Sequence, residues 1–332
     1  HGWAVELLRR AASPQGDGLR HAYLLTGPPQ VGKTTLAQAF ARALLCTSGE
    51  ERPCGACRSC QLMRTGGHPD FRLVQPTDRQ GEVDRANGLL RVEQAGQIVH
   101  DAMLRPVEGR YKFFLIQDMH RSNDSFANKL LKTLEEPPDH VVLCLTAHDA
   151  SGLLPTIVSR CQVLALRPVP PTEIAAALVQ RWQADPEQAD VLARLAGGRV
   201  GWAVNQLTGD PQTSERETHL QTLQQLVRAS RVERILQAQK LASNRNNEHL
   251  FGMLEVWSGW WRDVMLAQAG CIDACTNLDH RADIEDAAQR FAPEDVRRFL
   301  HTLARIEGYL RHTVNTGLAL DVLFLQTPRP QT

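Results

Sequence analysis

The fold is decided by the stretch Ala22-Tyr23-Leu24-Leu25-Thr26-Gly27-Pro28-Pro29-Gln30-Val31-Gly32-Lys33-Thr34. Its first five residues form a short apolar run that ends at a glycine, which is typical of a buried strand. The remaining residues fit the pattern G-x-x-x-x-G-K-[ST] of a P-loop. Residues 34–44 then place apolar side chains at helical spacing. The sequence therefore predicts a strand, a phosphate-binding loop and a helix in direct succession.

The chemistry of such a loop explains the residue types found in it. Gly27 and Gly32 permit the backbone turn that aims successive N–H groups at phosphate oxygens, and the following helix points its positive end at the same place. Lys33 is expected to reach the β- and γ-phosphates, and the Thr34 hydroxyl is expected to bind Mg²⁺. The alternative is a glycine-rich turn that binds nothing. The predicted ligands of ATP or ADP, with Mg²⁺ as a possible companion, are Gly27, Pro28, Gly32, Lys33, Thr34 and Thr35.

Alternating strands and helices continue to about residue 166. Further strands are predicted at 71–74, 113–116, 141–145 and 162–166, and helices at 89–104 and 123–134. The second of these helices is expected to stop before Pro137-Pro138, because proline lacks an amide donor and clashes with the preceding turn. Alternation of this kind predicts an α/β core with a parallel sheet that is covered on both faces.

The pattern changes after Pro168, and no further strand is predicted. Thr172 is a plausible N-cap for the first of several short helices over 172–207, and longer helices follow from about 214 to the end. Two of them carry apolar residues at three- and four-residue spacing, which predicts one buried face each. These are Leu250, Met253, Leu254, Trp257, Trp261 and Val264, then Val296, Phe299, Leu300, Leu303, Ile306 and Leu310. We therefore divide the chain into a nucleotide-binding core (1–166), a small helical domain (167–209) and a second helical domain (210–332).

The bulk properties restrict the class of protein. Lys plus Arg equals Asp plus Glu at 37 each in 332 residues, which argues against a strongly electrostatic grip on DNA by this chain alone. No apolar run approaches the roughly 20 residues that span a membrane, so no membrane association is expected. The start at His1 lacks the pattern of a signal peptide. Because it also lacks an initiator Met, a few preceding residues are expected to be missing.

Four cysteines predict a metal site. Cys54, Cys57 and Cys60 are each separated by two residues, and Cys46 precedes them by a short loop. Four thiolates close a tetrahedral structural Zn²⁺ site, so a zinc module is predicted at 46–60 in a reducing cytoplasm. One alternative is a set of free buried thiols, and another is His68 in place of Cys46. Outside this module, Cys144 and Cys161 are expected to serve packing, and Cys271 and Cys275 suggest no site.

Two further motifs complete a family resemblance. Residues 128–138, with the sequence NKLLKTLEEPP, and the triplet Ser159-Arg160-Cys161 accompany the P-loop and the cysteine module. Together they resemble the clamp-loader AAA+ subunits of bacterial DNA polymerase III. The resemblance covers residues 1 to about 205 well and is weaker beyond, where residues 314–320 look like the last collar helix. It implies an AAA+ core with a zinc insertion, a small helical lid and a helical collar that serves oligomerisation.

The resemblance also implies partners and a role for one arginine. The family forms a five-membered ring with gamma/tau and delta subunits, and ATP binding lets the ring open a sliding clamp and place it on primed DNA. Arg160 would act in trans, reaching the γ-phosphate of ATP held by the adjacent subunit, as arginine fingers do. Taken alone, Arg160 could equally form a surface salt bridge.

This sequence departs from an active ATPase of the family at two places. The Asp-Glu pair that follows the third strand is replaced by Gln117-Asp118, so Asp118 stands as a degenerate Walker B residue and a neutral amide takes the metal-binding place. The arginine of the lid is replaced by Gly201. Arg199 is no substitute, because two residues turn it through about 200° on a helix. The resemblance therefore implies a subunit that holds nucleotide weakly or without turnover and donates Arg160.

Three other interpretations compete with this one. The first is a gamma/tau-type motor subunit that hydrolyses ATP itself, so whether the chain is an enzyme stays open at this point. The second is an unrelated P-loop protein such as a kinase or a helicase, which would leave the cysteine module and the SRC triplet as coincidences. The third is a purely structural chain with a vestigial loop.

Overall fold

The computed structural model describes residues 1–13, 18–49, 51–84, 88–209, 212–243, 247–310 and 315–331. They form two compact units. The amino-terminal unit contains residues 1–169 and 198–201, and the carboxy-terminal unit contains residues 170–197 and 202–332. Among the described helices, none combines the length and the hydropathy that crossing a bilayer requires.

The amino-terminal unit is built on one five-stranded sheet in which every pairing is parallel. Its strands are β1 (Ala22–Thr26), β2 (Phe71–Val74), β3 (Lys112–Ile116), β4 (Val141–Ala147) and β5 (Gln162–Ala165), in the spatial order β2-β3-β4-β1-β5. All residues of β1, β3 and β4 are buried, as expected where helices cover both faces of a sheet. The predicted α/β core with a parallel sheet is confirmed.

Six helices connect or flank these strands. They are α1 (Gly2–Ala11), α2 (Lys33–Leu45), α3 (Arg58–Thr65), α4 (Val92–Met103), α5 (Asp124–Glu135) and α6 (Pro155–Val158). Helix α5 begins after Asn123, whose side chain accepts a hydrogen bond from the Phe126 amide, and it ends before the predicted proline stop.

Helix α4 is shorter than predicted. The prediction began at Leu89, but the Leu89 amide donates to Thr77 O and the Leu90 amide donates to Arg121 O. These bonds hold both residues in extended bridges, so the helix begins only at Val92. Backbone pairing with distant segments has therefore overridden a helical pattern of apolar residues.

The carboxy-terminal unit is helical throughout its described residues. Its helices are α7 (Pro171–Trp182), α8 (Pro186–Leu195), α9 (Val200–Leu207, with its first two residues in the other unit), α10 (Gln212–Arg228), α11 (Arg231–Ser243), α12 (Asn247–Gln268), α13 (Arg281–Arg290), α14 (Pro293–Leu310) and α15 (Thr316–Leu325). The prediction that Thr172 caps α7 is wrong. Pro170 is the N-cap and Pro171 opens the helix, because the fixed φ of proline suits the first helical position.

The core of this unit is the apolar face that the sequence predicts. In α12, Trp257 and Trp261 are fully buried, and in α14 Phe299 is too. The Trp261 ring meets Phe299 edge-on at 5.8 Å between ring centroids. Val314, the first residue of the predicted collar motif, lies outside the described residues, as does residue 210 at the predicted domain boundary. The division of the helical part into two domains stays a prediction.

A buried arginine ties two helix ends together within this core. Arg234 of α11 is only 1% exposed. Its guanidinium donates to Leu226 O and Val227 O near the end of α10, and to Phe324 O and Thr327 O at the end of α15. The last carbonyls of a helix lack intrahelical partners and carry partial negative charge, so one cation satisfies both ends.

We expect Arg234→Met to lower the free energy of unfolding of the carboxy-terminal unit by about 3 kcal/mol, because the Val227 and Thr327 carbonyls lose their guanidinium donor and those of Leu226 and Phe324 keep only a backbone amide. Urea unfolding followed by tryptophan fluorescence measures this, since Trp257 and Trp261 lie in the same core. The matched control is Arg231→Met, an exposed position on the same helix, which should change stability by no more than about 0.5 kcal/mol. Equal losses in both variants would contradict the capping role.

Candidate nucleotide-binding site and cysteine cluster

The P-loop connects the end of β1 to the start of α2. The Gly27 amide donates to His148 O at 2.9 Å, which ties the loop to the residue after β4. Gly27 has φ +144° and a Cβ there would collide with the Leu166 carbonyl, so only glycine fits. Gly32, at φ +107°, is the N-cap of α2. The predicted succession of strand, loop and helix is confirmed, and the helix N-terminus faces the loop.

Lys33 is turned back onto the loop. Its Nζ donates to Gly27 O and Pro28 O, both at 2.7 Å. Burial lowers the pKa of Lys33 to about 8, while the nearby Asp118 carboxylate opposes the shift. The ammonium is therefore still mostly protonated at neutral pH, and its present partners are carbonyls that a phosphate oxygen would replace.

Thr34 and Gln117 are joined directly. Gln117 Nε2 donates to Thr34 Oγ1 at 3.1 Å, and Gln117 Oε1 accepts from Gln75 Nε2 at 2.8 Å. Because its oxygen is engaged by Gln75, the amide presents its NH₂ group to the hydroxyl. Mg²⁺ requires oxygen ligands at this place. A donor directed at the hydroxyl of Thr34 therefore opposes metal binding where the sequence predicts a weakened Walker B pair.

Asp118 occupies a turn at the end of β3. Its backbone is left-handed, with φ +53°, and its amide donates to Thr146 Oγ1 at 3.1 Å. The predicted residues Gly27, Lys33, Thr34 and Asp118 thus meet at one edge of the sheet, where Asp118 and Lys33 influence each other electrostatically. Thr35 lies in the first turn of α2 with an exposed side chain.

Gly201 makes a backbone contact with the P-loop where an arginine was expected. Its amide donates to Gln30 O at 2.9 Å. A Cβ on residue 201 would lie 3.0 Å from that carbonyl oxygen, which is tighter than most real contacts. The glycine is therefore part of a close backbone approach, and a side chain at this position would require the Gln30 carbonyl to shift by a few tenths of an ångström.

Arg160 lies on the surface just before β5, with 34% of its side chain exposed. Its Nη2 pairs with Glu135 Oε1 at 2.8 Å, and its Nη1 donates to Thr156 O at 2.8 Å. Glu135 ends α5 within the LEEPP run. The two family motifs, residues 128–138 and residues 159–161, are thus joined by one ion pair.

The four predicted cysteines converge on one point. The Sγ atoms of Cys46, Cys54, Cys57 and Cys60 all lie within 4.8 Å of one another, and those of Cys46 and Cys57 are 3.8 Å apart. Cys46 follows α2 and Cys57 is the N-cap of α3, so both helices fix the cluster. The Cys57 and Cys60 amides donate to Cys54 Sγ and Cys57 Sγ, each at 3.4 Å. This donor set fits a tetrahedral metal ion.

The thiols of the cluster differ in their affinity for protons. Burial opposes ionisation of Cys57, but hydrogen bonds from Thr47 and from the Cys60 amide lower its pKa to about 5. Burial raises the pKa of Cys60 to about 12. The cluster already favours one thiolate, and a bound cation would supply the charge that ionises the others.

His68 has another function than metal binding. The Asp70 amide donates to its Nδ1 at 3.0 Å, so Nε2 carries the proton and donates to Ser59 Oγ at 2.8 Å. Ser59 Oγ in turn donates to Leu45 O at 2.6 Å. These buried hydrogen bonds connect α3 to the end of α2. Because they occupy His68, Cys46 is the fourth member of the cluster.

The sequence predictions missed two histidines at the sheet edge. His120 and His148 follow β3 and β4, and their rings lie 4.1 Å apart between centroids. Both lie close enough to Asp118 for one ion to reach all three side chains. The available signal was a histidine soon after each of two buried strands, four residues after β3 and directly after β4.

Comparison with known proteins agrees with the fold and the motifs. The family model described as "DNA polymerase III, delta subunit" matches residues 4–170, and the model described as "DNA polymerase III, delta subunit, C terminal" matches residues 211–327. DNA polymerase III subunit delta' of Bacillus subtilis is 28% identical over 315 residues, which cover 91% of this chain and 92% of that relative. Subunit delta' of Escherichia coli is 29% identical over 314 residues, covering 94% and 89%.

A third relative resembles only part of the chain. DNA polymerase III subunit tau/gamma of Haemophilus influenzae is 37% identical over 158 residues, which cover 47% of this chain and 22% of that relative. The two delta' subunits named above match nearly the whole chain, and the resemblance to the clamp-loader subunits of DNA polymerase III is confirmed. Since the first family model alone covers half of the sequence, the chain belongs to the DNA polymerase III delta-subunit family.

Proposed function

We propose that this chain is a delta'-type clamp-loader subunit that holds ATP or ADP with little or no turnover and supplies Arg160 to a neighbouring ATPase subunit. One observation carries the first half of the proposal. A complete P-loop stands beside a neutral Gln117 amide that donates to the hydroxyl of Thr34. The loop can bind phosphates. The place of the metal-binding carboxylate, however, is taken by the Gln117 amide, which directs its NH₂ group at Thr34.

Two further features support weak or absent hydrolysis. Asp118 stands where the family places the glutamate that orients the attacking water, and its side chain is one methylene shorter. Gly201 contributes a backbone contact to Gln30 rather than a cation to the nucleotide. A gamma/tau-type motor would need all three functions at once, so the adaptor interpretation is favoured over the motor.

Arg160 supports the second half of the proposal. Its present partner, Glu135, is 48% exposed, and surface ion pairs of this kind are worth at most about 1 kcal/mol. Arg160 could therefore leave Glu135 and bind the phosphate oxygens of a nucleotide on an adjacent subunit at a small cost in free energy. The planar guanidinium suits the charge that spreads over a transferring phosphoryl group.

The assembly that we propose is the one the resemblance implies. The chain would join gamma/tau and delta subunits in a five-membered ring in the cytoplasm, and the ring would load a sliding clamp onto primed DNA. The two family models leave residues 171–210 between them, the segment that we assign to the lid at 167–209. The collar at 210–332 would then supply the contacts that hold the ring together.

We propose that the metal of the cysteine cluster is Zn²⁺ in a structural role. Four thiolates leave no open position for chemistry, and closed sites of this kind stabilise the fold around them. Cys46 and Cys57 anchor the ion to the ends of α2 and α3, and α2 also carries the P-loop at its other end.

Replacing Cys57 by serine should remove this zinc. The purified wild-type chain should keep about one tightly bound zinc ion through dialysis against a weak chelator, whereas Cys57→Ser should lose most of it and melt at a lower temperature. Elemental analysis and thermal unfolding measure both effects. Cys271→Ser, at an exposed position, is the control and should keep its zinc. Retention of zinc by Cys57→Ser would contradict the assignment.

The trans role of Arg160 is tested in a clamp loader reconstituted with gamma/tau and delta subunits. We expect Arg160→Ala to assemble normally but to lower DNA-stimulated ATP hydrolysis at least about tenfold, since arginine fingers contribute large factors to phosphoryl transfer. Arg160→Lys should recover little activity, because lysine lacks the planar fork.

Two control variants separate the trans role of Arg160 from a nonspecific effect of removing a surface charge. Arg110→Ala removes an exposed cation of the same unit and should leave hydrolysis unchanged, and Glu135→Gln should leave it intact because only the resting partner of Arg160 is lost. Unchanged ATP hydrolysis by an assembled Arg160→Ala complex would remove this part of the proposal.

A further inference from the structure

Two histidines and one carboxylate lie together at the carboxyl edge of the sheet. One ligand atom from each of Asp118, His120 and His148 lies within 4.8 Å of the other two. The imidazole rings of the two histidines are in contact, with centroids 4.1 Å apart and planes inclined by 32°. No other part of the proposed function uses these two side chains.

The topology of the sheet creates this cluster. Strands β3 and β4 are parallel neighbours, so the residues that follow them emerge side by side. His148 directly follows β4. After β3, the left-handed backbone of Asp118 starts a short 3₁₀ turn in which Met119 is fully buried and His120 is left at the edge. The fold thus places two imidazoles and a carboxylate at one point.

We propose that Asp118, His120 and His148 form a second metal site, selective for a divalent transition metal of the Zn²⁺ class. Two imidazole nitrogens and one carboxylate oxygen are a common ligand set for such ions and leave a position for water. Bonds of about 2.1 Å place ligand atoms at most roughly 4.2 Å apart. Small rotations of the three side chains would therefore bring their ligand atoms to bonding distance from one ion.

The surroundings of His120 support an ion at this point. Its Nδ1 atom is buried and has no hydrogen-bond partner among the residues that the structure describes. An unsatisfied buried nitrogen is costly, and coordination would satisfy it.

Charged groups of both signs surround the proposed metal site. The groups that act electrostatically on His120 are the carboxylates of Asp118 and Asp149 and the cations of Arg121 and Lys33. Two of these four groups are negative and two are positive, so the charged groups around the cluster are not all cations. Imidazole ligands select against Mg²⁺, which prefers oxygen donors, so this site is chemically distinct from the one that accompanies a nucleotide.

None of the three ligands belongs to the P-loop, but Asp118 is also the degenerate Walker B residue, and it interacts electrostatically with Lys33. Metal binding at this site would therefore affect what Asp118 can do in hydrolysis. A carboxylate that binds a transition metal has fewer lone pairs to orient a water molecule, so occupation of the site would further suppress hydrolysis.

Titration with Co²⁺ tests the site in the intact chain, after the cysteine cluster has been loaded with one equivalent of zinc and any weakly bound zinc has been removed by dialysis. Calorimetry should show about one additional Co²⁺ bound by the wild type, and absorption should show nitrogen and oxygen ligation without the strong near-ultraviolet charge-transfer band of thiolates. His148→Ala should weaken this binding at least roughly tenfold. His120→Gln should weaken it as well, which keeps the test decisive if one variant folds poorly.

The control is His301→Ala, an exposed histidine of the other unit, which should bind Co²⁺ as the wild type does. Circular dichroism of metal-free samples should match among all variants. Equal Co²⁺ affinity of the wild type and His148→Ala would overturn the proposal, as would an added ion that shows thiolate absorption alone.

Discussion

The parallel pairing of β3, β4 and β1 imposes the constraint from which the amino-terminal chemistry follows. Parallel neighbours deliver their carboxyl ends to a single edge, so residues distant in sequence meet there. The P-loop leaves β1 at this edge, Gln117 and Asp118 leave β3, and His148 leaves β4. The bond from the Gly27 amide to His148 O fixes the loop against its neighbour. The residues proposed to bind phosphate, and those that stand in place of the metal-binding carboxylate, therefore lie within one small region.

Within this region, uncharged groups take the places where the resemblance implies a metal-binding carboxylate and a lid arginine in a hydrolysing subunit. The Gln117 amide meets Thr34, and the Gly201 backbone meets Gln30. Each contact satisfies hydrogen-bonding groups of the loop without a nucleotide, which stabilises the loop but contributes nothing to phosphoryl transfer. Arg160 retains its charge and its exposure. This combination fits the proposed function, in which Arg160 would act at a neighbouring subunit's site rather than at the site of its own chain.

Sequence reasoning succeeded where the signal is local. The strands β1, β3 and β4 are continuous apolar runs, the P-loop has a fixed pattern, and the four cysteines are close in sequence. It failed where distant pairing decides the outcome. Leu89 and Leu90 have a helical pattern but bond to Thr77 and Arg121, and His120 and His148 meet only because β3 and β4 are adjacent. The link from Gln75 to Gln117 likewise depends on the position of β2, which no local pattern encodes.

The Mg²⁺ dependence of nucleotide binding tests the central claim most directly. A fluorescent ATP analogue should bind the wild type with the same affinity in the presence and in the absence of added Mg²⁺, and Lys33→Ala should bind it much more weakly under both conditions. Gln117→Asp should gain roughly tenfold in affinity when Mg²⁺ is added, because a carboxylate replaces the amide beside Thr34. A wild type that gains as much from Mg²⁺ as Gln117→Asp, or that turns ATP over at the rate of a motor subunit, would contradict the account.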